Sequence, residues 1–541
     1  MNRNTSKHLV LRLEDLSDGF QKDKILFSLS LPDRNIPKSF LVEDEDSLCF
    51  GYYLIYDRPT NEHEIFSMCR KGEWEKLAHH IGDFLVVYID LKEQELFALS
   101  DIFGTFPLFI STKDGRLTLS SDFGVVVKLL GKKTINLSEI LDFAFSGGNI
   151  TPTNQTIVEQ VQQLPPGTLL RITPDGRTEF NNLQSMETFI KYDSTPYDDA
   201  GDFLRDFLHL LDKILEEMVG VLGTSKLEVD LSSGFDCTLV AYALSKIPGL
   251  DLTCCSRISK LALGDTDPEV MMEFARKHNL KLKTIDVEQF YPYCNQGGRD
   301  WTVSHFYPGI HGLELMSGFF DFIVNRGLSV NFTGNGGDEI YMSPGIDRVG
   351  KYSLQEDYFQ FVQFFKSDAM NIFTAEGKSQ ILDRRRFAKK QLFPSYISVS
   401  AVTISKDYFP LIWEKDLWWV HPLTDPRLIQ LARRIPLKSN GQPMDKYELW
   451  AHRPDIFLPK QAKVQGHYGT HFGQFVTKRP QFIIDVLRNS ILGKLGIIKQ
   501  EEIINNLEKG IFDPYLDTAL LFLQQVVRIE YFLQQNDINL D

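Results

Sequence analysis

Near residue 190 the hydrophobic rhythm of this chain changes, and that change constrains its fold more than any other feature. From the start to about Glu187, short apolar runs such as Phe84–Ile89, Glu95–Ser100 and Leu117–Ser120 are separated by turn signals, among them Lys113-Asp114-Gly115 and Pro174-Asp175-Gly176. Strand side chains alternate between two faces, so short runs broken by Asp-Gly turns predict antiparallel sheet. Lys191–Gly201 is polar and contains Pro and Gly, which predicts a linker, and the apolar-periodic stretch Phe203–Val221 predicts a helix. The pattern then alternates. A strand-like run at Leu227–Leu231 leads through a small-residue turn into a helix, Leu252–Cys255 follows, and Ser329–Phe332 enters another glycine-rich turn. Such alternation predicts βαβ units and a parallel sheet. Beyond about Lys351 the chain reads as mostly helical, and it holds no internal repeat or low-complexity tract.

A chain of 541 residues is too long for one compact core, so two domains are expected, 1–190 and 202–541. A net charge of -14 argues against a polyanion such as nucleic acid or a membrane surface as the main partner. Six cysteines are too sparse for a disulfide framework, and their spacing offers no metal quartet. The N-terminal MNRNTSKHLVLRLEDL lacks a signal-peptide core, and no apolar run is long enough for a membrane span; a cytoplasmic protein is expected.

Two loops carry the chemistry. The first strand of the alternating half ends in Ser232-Ser233-Gly234-Phe235-Asp236-Cys237, and Thr238–Ser245 continues as a helix. Small residues let backbone N–H groups approach an anion, the helix end adds positive charge, and hydroxyls or a thiol add donors, which together make a pyrophosphate cradle. Asp236 would repel phosphates by itself and makes sense there as a ligand holding Mg2+ against a nucleotide. Taken singly, such a turn is a plain N-cap. The second loop changes that reading: Val330-Asn331-Phe332 runs into Thr333-Gly334-Asn335-Gly336-Gly337-Asp338-Glu339, where three glycines precede an acidic pair. In an open parallel sheet both loops leave strand C-termini, where Asp236 and Asp338 could share a magnesium-bound pyrophosphate.

In this order along the chain, the two loops resemble the SGGxDS and S/TGxGGDE loops of the asparagine synthetase family. Ser233 replaces the family's middle glycine and Cys237 its final serine; both are small and keep donors. The resemblance implies an α/β PP-loop ATP-pyrophosphatase domain with a mostly helical C-terminal part. It implies that ATP contacts Leu231, Ser232, Ser233, Gly234, Phe235, Asp236 and Cys237, then Cys255 and Ser256 against the adenine, then Thr333, Gly334, Asn335 and Gly336. Lys463, in Pro459-Lys460-Gln461-Ala462-Lys463-Val464-Gln465-Gly466-His467, occupies the stretch where the family has a lysine facing the α-phosphate. Lys460 is its rival, and Lys463 is favoured because the Gly-His-Tyr-Gly that follows could close over a substrate. His467 is a candidate for orienting the attacking amine.

Gly82-Asp83-Phe84, Asp101–Leu108 and Leu164-Pro165-Pro166-Gly167 resemble landmarks of the family's glutaminase half, an Ntn-hydrolase-like β-sandwich. That chemistry requires an N-terminal cysteine. This sequence begins Met1-Asn2-Arg3 and its first cysteine is Cys49, so the expectation is an inactive glutaminase-like domain and an amine other than glutamine-derived ammonia. Superfamily members without that cysteine include β-lactam synthetases and lasso-peptide macrolactam synthetases. The GxGGD loop, Tyr447-Glu448 and Pro454-Asp455-Ile456-Phe457 look closer to the latter. The resemblance then implies adenylation of an Asp or Glu side chain of a precursor peptide, attack by its N-terminal amine, and a leader peptidase and leader-binding protein as partners. An ammonia-dependent asparagine synthetase, a β-lactam-synthetase-like enzyme and a non-catalytic nucleotide- or peptide-binding pseudoenzyme stand as alternatives.

Overall fold

This computed structural model describes residues 9–13, 19–29, 36–131, 133–145, 154–183, 195–258, 268–291, 294, 313–337, 340, 346–347, 351–352, 371–388, 408–441, 443–461, 475–513, 518–536 and 538. Two antiparallel sheets make the N-terminal half. The first holds β1 (Val10–Leu13), β2 (Leu26–Ser28), β7 (Phe109–Ser111), β8 (Leu117–Ser120) and β9 (Gln162–Gln163), in the order β2-β1-β8-β7-β9. The second holds β3 (Lys38–Glu43), β4 (Ser47–Ile55), β5 (Gly82–Asp90), β6 (Glu95–Ser100), β10 (Thr168–Ile172) and β11 (Thr178–Asn182), in the order β11-β10-β6-β5-β4-β3.

Alternation along the strands sets the layers. In β4, Leu48, Phe50, Tyr52 and Leu54 enter a core shared with Leu11, Leu117 and Leu119 of the first sheet. Cys49, Tyr53 and Ile55 enter another, beneath helix α1 (Glu62–Arg70), which supplies Ile65, Met68 and Cys69. The strand is therefore buried on both faces, and each wholly buried Leu or Phe contributes about 1.5–3 kcal/mol.

The C-terminal half is built on a parallel sheet of β12 (Lys226–Asp230), β13 (Asp251–Ile258), β14 (Lys281–Asp286), β15 (Val330–Phe332) and β16 (Trp418–Val420), in the order β14-β13-β12-β15-β16. Helix α2 (Ala200–Leu222) leads into it, started by the Asp199 side chain accepting the Asp202 N–H and stopped by Gly223 at φ 64. Helices α3 (Phe235–Leu244), α4 (Pro268–Lys277) and α5 (Leu313–Val324) cross between strands.

Most expected elements lie within a few residues of their predicted places, and three features differ. The described end of the presumed linker is docked: Tyr197 N–H donates to Arg434 C=O at 2.9 Å and its ring lies 4.5 Å from that guanidinium. The region read as mostly helical also contains β16, an edge strand made by pairing with β15. Finally, helical residues such as Ile483, Leu487, Val526 and Leu533 share a core with Phe123, Val126 and Ile140 of the N-terminal half. The halves meet again where Phe106 stacks between Tyr52 (5.2 Å) and Trp418 (5.3 Å). Among the described residues no helix is long and apolar enough to cross a membrane.

Candidate functional site

From β12 the sheet grows through β13 and β14 on one side and through β15 and β16 on the other. The C-terminal ends of β12 and β15 therefore flank a topological switch point, the place where open parallel sheets leave a crevice. Both loops singled out in the sequence leave that edge, one after Asp230 and one after Phe332.

The first loop extends the sheet by one bond, Leu231 N–H to Cys255 C=O at 2.7 Å, which brings Leu231 beside Cys255 and Ser256. Ser232 Oγ then accepts the Gly234 N–H at 3.2 Å, and Ser233 is wholly buried. Gly234 caps α3 with extended backbone and no side-chain hydrogen bond to the first amides. An N-terminus without a side-chain cap presents N–H groups and a positive dipole end to whatever occupies the crevice. Burial pushes the Cys237 thiol up to about 12, with repulsion from Asp230 and Asp236 adding to it, so Cys237 remains a neutral thiol. The Ser256 hydroxyl is buried and has no hydrogen-bond partner among the described residues.

The second loop lies directly on the first. A Cβ on Gly334 would overlap the Cys237 N–H, and one on Gly337 would overlap the Asp236 carboxyl. Only glycine permits that approach, which explains two of the three loop glycines by contact rather than torsion. Thr333 is buried: its N–H donates to Val420 C=O at 2.9 Å, and its hydroxyl accepts the Asn335 N–H at 3.2 Å. Gly336 packs on Leu423 and Thr424 of the turn after β16. Asp338, the next residue after Gly337, lies outside the described residues, as do Lys463 and His467.

Two groups that sequence reasoning passed over complete the site. Lys446 opens the short helix α6 (Lys446–Trp450), whose N-terminus is closed by an Asp445–Glu448 capping box, and its Nζ lies 3.0 Å from Asp236 Oδ2. Its side chain is only 8% exposed, so this is a buried cation facing the first loop. The capping-box pattern was a legible signal for the helix; the direction of the lysine was not. Gln461 is the second: its Oε1 accepts the Leu458 N–H at 2.7 Å while its Nε2 faces Gly234 C=O at 3.4 Å and Thr238 Oγ1 at 3.3 Å. Phe235, between Tyr447 (5.5 Å) and Phe457 (4.9 Å), ties the same segment to the loop. Lys460 instead pairs with Glu273 at the surface, at 3.5 Å.

Burial also holds the His421 imidazole neutral, down to about 4. Asp230 at the end of β12 accepts from Asn331 Nδ2 at 2.8 Å and lies 3.8 Å from Arg257. The described groups thus bring together an N-terminus without a side-chain cap, a carboxylate, a buried lysine and a glycine-rich turn, a combination that can hold a polyanion with a hard cation.

Residues 64–183 match the family model for a glutamine amidotransferase domain. Two solved structures resemble the chain weakly. The glutamine phosphoribosylpyrophosphate amidotransferase from B. subtilis, complexed with ADP and GMP, has 9% identity and a TM-score of 0.19, covering 52% of this chain and 59% of its own. A structure described as the allosteric regulatory enzyme of purine biosynthesis has 9% identity and a TM-score of 0.20, covering 52% of this chain and 74% of its own. The chain thus spans well under two thirds of the first of these, and no curated protein matches its sequence. The molecule is a mixed α/β protein that joins an N-terminal domain of the glutamine amidotransferase type to a C-terminal half built on a parallel sheet.

Proposed function

We propose that this chain is an ATP-dependent, AMP-forming amide synthetase that closes a macrolactam in a ribosomal precursor peptide. The observation that carries the adenylation step is the contact of Gly337 with the Asp236 carboxyl at the switch point, beside the N-terminus of α3, whose N-cap residue is Gly234. A carboxylate oxygen of the substrate attacks the α-phosphorus, the bond to the departing pyrophosphate breaks, and an acyl-adenylate remains. The peptide amine then attacks the activated carbonyl, and AMP and a proton leave. The amides at the start of α3 and the Lys446 ammonium stabilise negative charge gathering on the phosphoryl oxygens. Holding both ends of one peptide supplies most of the second step by proximity.

The donors fit Mg2+. Asp236 offers a hard carboxylate, Asp338 follows a residue packed on it, and magnesium is commonly held by one or two carboxylates together with substrate phosphates. Bound there, it would neutralise the pyrophosphate. Domains 1–190 and 202–541, with Lys463 facing the α-phosphate, belong to the same proposal. So do a leader peptidase and a leader-binding protein as partners.

The placement of the cysteines in the N-terminal half supports an amine other than glutamine-derived ammonia. Cys49 is wholly buried in β4 with its Sγ 3.9 Å from that of Cys69, and removing the chain before it would delete β1–β3. The amidotransferase match favours a second reading, in which the amine is ammonia. Aspartate plus ammonium and candidate peptides separate the two by AMP release. Adenylation itself is tested by ATP/pyrophosphate isotope exchange: exchange that persists undiminished after Asp236→Asn would defeat the assignment.

A further inference from the structure

β16 ends at Val420, and the next residue, His421, meets the glycine-rich loop. Its Nδ1 lies 2.6 Å from Thr333 Oγ1 and 3.4 Å from Asn335 Nδ2, and its ring packs edge-to-face on Trp419 at 5.8 Å. A threonine hydroxyl carries one proton. Asn335 Nδ2 can only donate, and both it and the Thr333 hydroxyl face His421 Nδ1, so Nδ1 accepts from both and is the unprotonated nitrogen of a neutral ring. We infer that His421 is a positioning residue for the loop Thr333–Gly337. Its Nδ1 lone pair holds the Thr333 side chain, and through the Asn335 N–H that hydroxyl holds the turn which lays Gly334 and Gly337 on Cys237 and Asp236. The turn has little room for adjustment, since both glycines already approach the first loop more closely than a Cβ would allow. That the turn's placement governs nucleotide binding rests on the adenylation reading; that His421 sets the placement does not.

The role requires an acceptor where Nδ1 stands. The side-chain oxygen of Asn reaches that place, whereas that of Gln reaches toward Nε2. Full-length wild type and the His421→Asn, His421→Gln and His421→Phe variants are compared in two measurements: deuterium uptake by peptides spanning 333–337 without nucleotide, and KM for MgATP against kcat in ATP/pyrophosphate exchange. His421→Asn is expected to match wild type in both. His421→Phe and His421→Gln are expected to raise uptake and KM roughly tenfold, the factor that accompanies loss of one buried hydrogen bond, with kcat changing less. Equal behaviour of the Asn and Gln variants, or rescue by Gln alone, would overturn the inference, and this pair decides it even where His421→Phe fails to fold. Absence of any exchange by wild type would sink the adenylation reading, while the uptake pattern would still decide the role of His421.

Discussion

Asp83 and Asp101 in the N-terminal half and Asp236 in the C-terminal half are carboxylates set in opposite ways. In the N-terminal half Asp83 and Asp101 lie inside a closed network. The Tyr56 hydroxyl donates to Asp83 at 2.8 Å, Thr105 Oγ1 lies 3.1 Å from Asp83 and 3.2 Å from Asp101, and Asp101 accepts the Phe84, Phe103 and Thr105 amides. Burial pushes Asp83 up to about 6 and Asp101 up to about 7, the latter also through repulsion by Asp83. Burial and mutual repulsion therefore make the pair hold a proton to higher pH than ordinary carboxylates do. In the C-terminal half Asp236 instead lies in the first turn of α3 at the switch point, paired with Lys446. A carboxyl enclosed by donors organises a fold; one placed at a switch point is available to a ligand.

The largest effect that would break this contrast is on activity. Asp236→Asn is expected to lower ATP/pyrophosphate exchange by about a thousandfold, as loss of a preorganised charge contact does, while the far-ultraviolet circular dichroism keeps its wild-type form. Asp101→Ala should do the reverse. Leaving the Phe84, Phe103 and Thr105 amides without their acceptor should cost about 3 kcal/mol in urea unfolding, with little loss of exchange per folded molecule. A variant equally damaged in both assays would erase the distinction.

Gly337→Ala sharpens it from the loop side. The new Cβ must push Asp236 or the loop aside, and exchange should drop by about tenfold to thirtyfold, on the scale of 2 kcal/mol for overpacking. The N-terminal side of the comparison is tested by a pH slope. Because the folded values of Asp83 and Asp101 lie above those of an unfolded chain, their contribution to stability is full below about pH 4 and is lost as pH rises toward about 7. Unfolding free energy should fall by about 1.4 kcal/mol per pH unit in that window for each proton lost, and Asp83→Asn should flatten the profile. A wild-type profile already flat there would show that the pair does not hold its proton.

Much of this fold was legible locally. Glu95–Ser100 and Leu117–Ser120 are strands at their expected residues because nearby turns leave little choice of end point. The switch-point loops stood out because three glycines and a Ser-Ser-Gly turn interrupt apolar runs. β16 did not: Trp418-Trp419-Val420 is a three-residue run inside a stretch that reads as helical, and it pairs with β15, which lies far from it in sequence. Lys446 looks like any first-turn lysine, and its partner Asp236 is 210 residues away.

By itself, the sequence determined the period of each segment, the turns that bound them, and the two loops whose residue types suit an anion, because those are properties of neighbouring residues. Tertiary structure decided which loops touch: that Gly337 rests on Asp236, that Lys446 and Gln461 face the first loop, and that His421 holds the second. Those contacts depend on strand order and on side-chain packing across the sheet edge, which a one-dimensional pattern does not encode.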